Sequence, residues 1–151
     1  MTTLLLFQIV TFLLYTFFIV YRYGFLESIS ESWYQLPLNQ KFLFTLFTWC
    51  MGIPLLFYGH VLFFIAGAAL CFVGTAARFK TTIANTKQIH FAGATIGFLS
   101  AYLGLGIVHG QWFPLLLFSL YTLLVNVSTI PNKLWWVEVI GFGILVYGFL
   151  L

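Results

Sequence analysis

The sequence predicts an all-α fold: a polytopic membrane helix bundle with six transmembrane helices and a short interfacial helix after the first. Three observations predict it. Hydrophobic residues make up 62% of the chain and charged residues 6%, where a soluble domain carries about a quarter charged residues. Uncharged apolar runs of roughly 17 to 20 residues recur, the length a helix needs to cross a bilayer. The basic residues gather between alternate runs, as they do in membrane proteins of fixed orientation. Alternating barrel strands are excluded, because the runs are continuous and lack period-two polarity.

Taken in order, the first span covers residues 3–21. It is too long and too aromatic for a secretory signal peptide, and it has no basic start or small-residue cleavage site, so it reads as retained. The longest polar passage follows, residues 24–37. Within it Ser28-Ile29-Ser30-Glu31 fits a capping box, in which serine accepts from a free first-turn amide and glutamate reaches back. Trp33 and Tyr34 suit the headgroup layer, and Pro37 ends the turn. This segment reads as a short helix lying on the membrane surface.

Spans two and three, 41–58 and 61–77, are joined only by Gly59-His60. Spans four and five, 92–108 and 112–130, are joined by His109-Gly110-Gln111, and the last span is 134–151. Each tight connection forces an antiparallel hairpin. Pro54 should kink the second span, while Pro114 opens the fifth, where proline is tolerated. The whole chain, 1–151, is one transmembrane domain.

The charges orient it. Arg22 and Lys41 flank the first loop, Arg78, Lys80 and Lys87 occupy the third, and Lys133 sits in the fifth. Those loops share one side; the other holds both termini and the two tight turns, without a lysine or arginine. The positive-inside rule places the basic loops in the cytoplasm and both termini outside, in a plasma or bacterial inner membrane. Small residues forecast the packing: Ala66, Gly67, Ala68, Ala69, Gly74 and Ala77 in the third span, Gly93, Gly97, Ser100 and Gly104 in the fourth, Gly141 and Gly148 in the sixth. Such spacings let backbones approach closely. Spans three, four and six are therefore expected to pack most tightly, with the Phe-rich spans one and two facing lipid.

The polar residues offer one candidate binding face, at the cytoplasmic side: Glu27, Ser30, Glu31, His90 and Glu138. Ser28, Pro54, Gly67, Gly93 and Gly97 read as structural. His90 stands at the entrance of span four, as a base, a ligand or an interfacial hydrogen-bonding group. Glu138 lies one turn into the last span, where a charge is costly and usually partnered; Lys133 or Lys87 could pair it. His60 and His109 belong to the outer turns, separated from His90 by most of a core of about 30 Å, so the three cannot share a zinc ion. No metal or cofactor is expected. Cys50 and Cys71 lie in apolar runs and read as buried thiols. No phosphate loop and no Gly-x-Ser-x-Gly elbow is present, and the net charge of +3 is too small and dispersed for a nucleic-acid partner.

With six spans, Ser28-Ile29-Ser30-Glu31 after the first and His90-Phe91-Ala92-Gly93-Ala94 opening the fourth, the layout resembles the superfamily of damage-regulated autophagy modulator (DRAM), Sfk-type and GPI-remodelling membrane proteins. The resemblance implies lipid handling or membrane regulation, often without catalysis. This chain is shorter than those proteins, has Glu31 where they carry aspartate, and almost lacks outer loops. Alkaline ceramidases and adiponectin-receptor hydrolases are similar at greater distance, but this chain has no aspartate and divides its histidines between the two faces.

The leading functional reading is an integral membrane protein without evident catalysis, binding lipid or a membrane partner through its cytoplasmic polar face. A small oligomeric transporter or channel is the alternative. A membrane-embedded lipid hydrolase using Ser30 or Ser32 with His90 and Glu31 comes third. A homo-oligomer is compatible with the glycine-rich faces.

Overall fold

The structure, a computed structural model, describes residues 2–76 and 83–151, with side chains described over 3–76 and 88–151. Among these residues every regular element is an α-helix: α1 (Thr2–Tyr23), α2 (Ser32–Gln35), α3 (Phe42–Leu56), α4 (Val61–Ala76), α5 (Ile83–His109), α6 (Phe113–Val127) and α7 (Lys133–Leu150). The all-α architecture and the short helix after the first long one are as expected. Three helices contain stretches long and apolar enough to cross a membrane: Thr3–Tyr23, Gln88–His109 and Lys133–Leu150. The apolar helices α3, α4 and α6 have 15, 16 and 15 residues, about 22–24 Å at the α-helical rise.

Two boundaries differ from expectation by three residues or more. The fourth span was expected to begin at residue 92, but α5 begins at Ile83 and its apolar stretch at Gln88, so His90 lies inside the helix, two residues into that stretch. Residues 83–91 are of mixed polarity and contain no glycine or proline to stop a helix. Apolarity marks where a helix is greasy, not where it starts. The fifth span was expected to reach residue 130, but α6 stops at Val127, where Ser128 turns extended at ψ 166°. Pro131 restricts the residue before it. Arg78 and Lys80 lie outside the described residues, as does the side chain of Lys87. Pro54 sits inside α3, which continues through it to Leu56; so near the end, its missing N–H removes a bond from a helix about to stop.

The closest helix pairs are α3–α4 and α4–α5. Gly52 and Gly67 cross face to face, and a Cβ built on either would lie 2.6 or 2.5 Å from the other's carbonyl oxygen. A Cβ on Gly74 would collide with the Thr48 hydroxyl. Beside these crossings, Thr45 Oγ1 donates to the Gly74 carbonyl at 2.8 Å and Trp49 Nε1 to that of Cys71 at 3.1 Å. The second span is thus a packed helix, contrary to the lipid-facing role its phenylalanines suggested. The reason is twofold: Phe44 and Phe47 are themselves buried, and the small-residue crossing brings α4 against the helix. On α5, Gly93 meets Val73 and Gly97 meets Ala66, as the small-residue stripe implied. The last helix packs chiefly on α6 and less on α5.

α1 is peripheral, with Leu14 and Phe17 exposed at 66% and 72%. Its inner face joins an aromatic column: Tyr15 stacks on Phe47 at 4.3 Å, Phe12 meets Phe142 at 5.3 Å, and Phe98 meets Phe142 at 4.7 Å. The tight turns carry Gly59 and Gly110 at φ +78° and +70°, values that glycine adopts without steric cost. The first turn closes a compact hairpin. The second closes with the Gln111 N–H on the Leu105 carbonyl at 3.1 Å, and further along α5 and α6 still meet where Tyr102 and Phe98 stack on Phe118 at 4.8 and 5.8 Å. Beyond these stacks the two helices part.

Candidate functional site

The parting of α5 from α6 leaves a partly open cavity of about 950 Å³, closed by α7 and by residues 27–34. Its walls change character along their length. At the end nearest α2 stand Glu27, Ser28, Ser30, Glu31, His90, Asn126, Lys133 and Glu138. Deeper, the lining becomes Phe98, Tyr102, Leu115 and Phe118. From His90 to Tyr102 the wall runs about 18 Å along α5 at the α-helical rise. On α6, Asn126, Thr122 and Ser119 share a face by their four- and three-residue spacing and carry polarity down from the mouth. Phe91, Thr95 and Leu99 on one lip and Ser119 and Asn126 on the other are exposed, so the opening runs along the side of the bundle.

All five residues singled out as a binding face, Glu27, Ser30, Glu31, His90 and Glu138, line this one cavity. They come from the first loop, α5 and α7, far apart in sequence. Ser28 Oγ accepts the Glu31 N–H at 3.1 Å, in the turn just before α2. The bond is the serine half of a capping box. Ser28 Oγ also shares a 2.9 Å hydrogen bond with Ser30 Oγ.

Glu138 differs from expectation. Its Oε2 accepts the backbone N–H of Ile29 at 2.5 Å, with the Ser30 amide close to the same carboxylate. Lys133 instead donates to the Asn126 carbonyl at 2.7 Å. A carboxylate inside a helix satisfies loop amides that would otherwise lack acceptors. Three further bonds strap the same loop. The Trp135 N–H reaches the Glu27 carbonyl at 2.9 Å, Asn132 Nδ2 reaches the Phe25 carbonyl at 2.9 Å, and Ser32 Oγ lies 2.7 Å from the Tyr15 hydroxyl. Asn132 holds a left-handed conformation at φ 55°, which asparagine tolerates better than most residues. The first loop is thereby a fixed wall of the cavity.

Ser32 is fully buried and donates its proton to the Ile29 carbonyl at 2.5 Å. The Tyr15 hydroxyl must then be the donor in their shared bond, which leaves Ser32 no part as a nucleophile. His90 is half-buried, its ring stacked on Phe44 with centroids 5.6 Å apart. His60 and His109 both lie beside Phe63, at 6.3 and 5.9 Å, at the far end of α5, roughly 28 Å of helix from His90. The Tyr58 ring meets Phe63, Phe149 and His109 at 4.7, 5.1 and 6.0 Å. Among the described residues no group of three His, Cys, Asp or Glu side chains is placed to hold a metal ion.

Sequence reasoning missed Tyr15, Asn132 and Trp135, the residues that hold the loop. Only the left-handed tolerance of Asn132, directly after a proline, offered a local signal; Tyr15 and Trp135 read as ordinary membrane aromatics. Comparison of the chain with protein-family models, with curated proteins and with solved structures finds no match.

Proposed function

We propose that this is a six-span integral membrane protein, with its basic loops cytoplasmic and both termini outside, that binds a single membrane lipid in the cavity between α5 and α6. The observation that carries the reading is the cavity's polarity gradient: a polar, charged mouth at one end of the bundle and an aromatic interior, with the opening along the bundle's flank. A lipid has the same gradient and reaches such an opening by lateral diffusion. The volume, about 950 Å³, sits at the upper end of the roughly 300–1,000 Å³ typical of small-molecule sites. Membrane residence is supported by apolar side chains that face outward, such as Phe57 at 79%, Leu116 at 66% and Val127 at 74% exposure. Exposed apolar surface on that scale calls for an apolar solvent.

The test fills the cavity. Ala94→Trp and Thr122→Trp place an indole in the space, and Leu124→Trp, on the exposed side of α6, is the control. Native mass spectrometry of the detergent-purified protein should show bound lipid in the wild type and the control. Each filled variant should lose it about tenfold, the equivalent of 1.4 kcal/mol, while its melting temperature is kept. Equal lipid retention in all four proteins would overturn the reading.

Orientation has its own check. In a variant lacking Cys50 and Cys71, a cysteine at Leu38, 88% exposed, should label with an impermeant thiol reagent only from the cytoplasmic side. A cysteine at Leu151 should label only from outside. Labelling of both from one side would break the even number of spans.

A further inference from the structure

We infer that the cavity measures the hydrocarbon chain of its lipid and is filled by a chain of about 10–14 carbons, an inference that rests on the cavity being a lipid site. The cavity has an end, and the end is built from rings. Tyr102 and Phe98 of α5 stack on Phe118 of α6. The last helix pins all three. The Tyr102 hydroxyl donates to the Gly141 carbonyl at 2.7 Å. A Cβ built on Gly141 would lie 2.7 Å from Phe118 Cε2 and 3.2 Å from Phe98 Cε1. Just beyond this floor the three helices close on one another: Leu105 is fully buried, and a Cβ on Gly148 would lie 2.5 Å from Leu105 Cδ1 and 2.9 Å from Pro114 Cγ.

The wall therefore has a length. It runs from His90 to Tyr102 on α5 and from Asn126 to Leu115 on α6, about 16–18 Å of helix. A C–C bond of about 1.5 Å advances an extended chain by about 1.25 Å per methylene. Counted from His90, the wall accommodates about 14 carbons; counted from Ala94, one turn deeper, about 10. A shorter chain leaves the floor rings without partner atoms, and a void forfeits those contacts outright. A longer chain must turn out through the flank, past the exposed Leu99 and Ser119. There its end rejoins the bilayer, an environment as apolar as the protein's own side chains, and gains nothing from the site. Phe118, across the floor, and Leu115, at the end of the α6 wall, are the side chains that set the limit.

The experiment uses the full-length protein in nanodiscs of mixed phosphatidylcholines, identical in head and differing only in chain length. Their paired saturated chains have ten, twelve, fourteen or sixteen carbons, in equal parts. Lipid held by the protein is identified by native mass spectrometry and divided by its share of the disc. Retention should rise about fivefold from the shortest chain, the equivalent of one filled void, and stop rising by fourteen carbons. Phe118→Ala and Leu115→Ala each deepen the floor, and each should move that break upward by about two carbons. Leu115→Ala leaves the ring stacks in place, so it serves if Phe118→Ala does not fold. Retention independent of chain length, or still rising to sixteen carbons in the wild type, would overturn the inference and leave the lipid site standing. So would a break that stays in place in Leu115→Ala. Absence of any retained lipid would instead remove the site itself.

Discussion

Gly67→Val should lower the melting temperature of the purified protein by about 6–12 °C, from an overpacking cost near 3 kcal/mol. The size follows from what the new side chain meets. A Cβ at Gly67 would lie 2.5 Å from the Gly52 carbonyl oxygen and 3.0 Å from the Leu56 backbone nitrogen. These are backbone atoms within a helix, so no rotamer change can make room; α3 and α4 must separate. Separation would also stretch the Thr45 and Trp49 bonds that stitch the same pair. Gly67→Ala should fall between the variant and the wild type. Gly143→Ala, with nothing within 4 Å of its added carbon, should be neutral or stabilising by up to about 1 kcal/mol, the usual helix preference for alanine. Thermal unfolding followed in one detergent compares all four. A Gly67→Val protein that melts with the wild type would show that the crossing does not hold the bundle.

The second large effect is expected at Glu138. Replacing it with leucine leaves the Ile29 amide without its acceptor, at a cost of about 1–3 kcal/mol. Because that amide belongs to the strapped loop, the loss should be local as well as global. Hydrogen exchange at Ile29 should accelerate at least about tenfold, an opening easier by some 1.4 kcal/mol. Glu138→Gln keeps a carbonyl oxygen in place and should be mild in both respects. Were leucine and glutamine to behave alike, with exchange at Ile29 unchanged, the carboxylate would have no part in holding the loop.

The helices were legible because long apolar runs and glycine-bearing turns are local signals. Gly59-His60 and His109-Gly110-Gln111 could be placed from neighbouring residues alone, and so could the Ser28 cap. Helix starts were less legible: residues 83–91 form helix through a stretch whose Asn85, Thr86, Lys87, Gln88 and His90 break up the hydrophobic signal. Which face of α3 packs depended on a glycine pair, Gly52 and Gly67, whose register is set only by how the hairpin closes. The candidate site followed the same division. Glu27, Ser30, Glu31, His90 and Glu138 were recognisable as polar groups out of place in a greasy chain. That α5 and α6 part beyond a tight turn is a property of three-dimensional packing, and so the cavity was not. Charge suggests charge, so two lysines were offered for Glu138; Lys133 turns to a carbonyl instead, the Lys87 side chain lies outside the described residues, and the partners seen are backbone amides.

The strap between the first loop and the last helix has a consequence for how the chain is made. Ile29 and its acceptor are 109 residues apart, and Asn132 is 107 residues from Phe25. At about 5–20 residues per second, the ribosome needs roughly 5–20 s to deliver Glu138 after Ile29 has emerged. During that interval the Ile29 amide lacks its Glu138 acceptor, and the helices already made have no closing wall. Completion of the cavity therefore waits for the final helix, and a chain stopped before residue 132 would hold all of the first loop and none of its strap to the last helix.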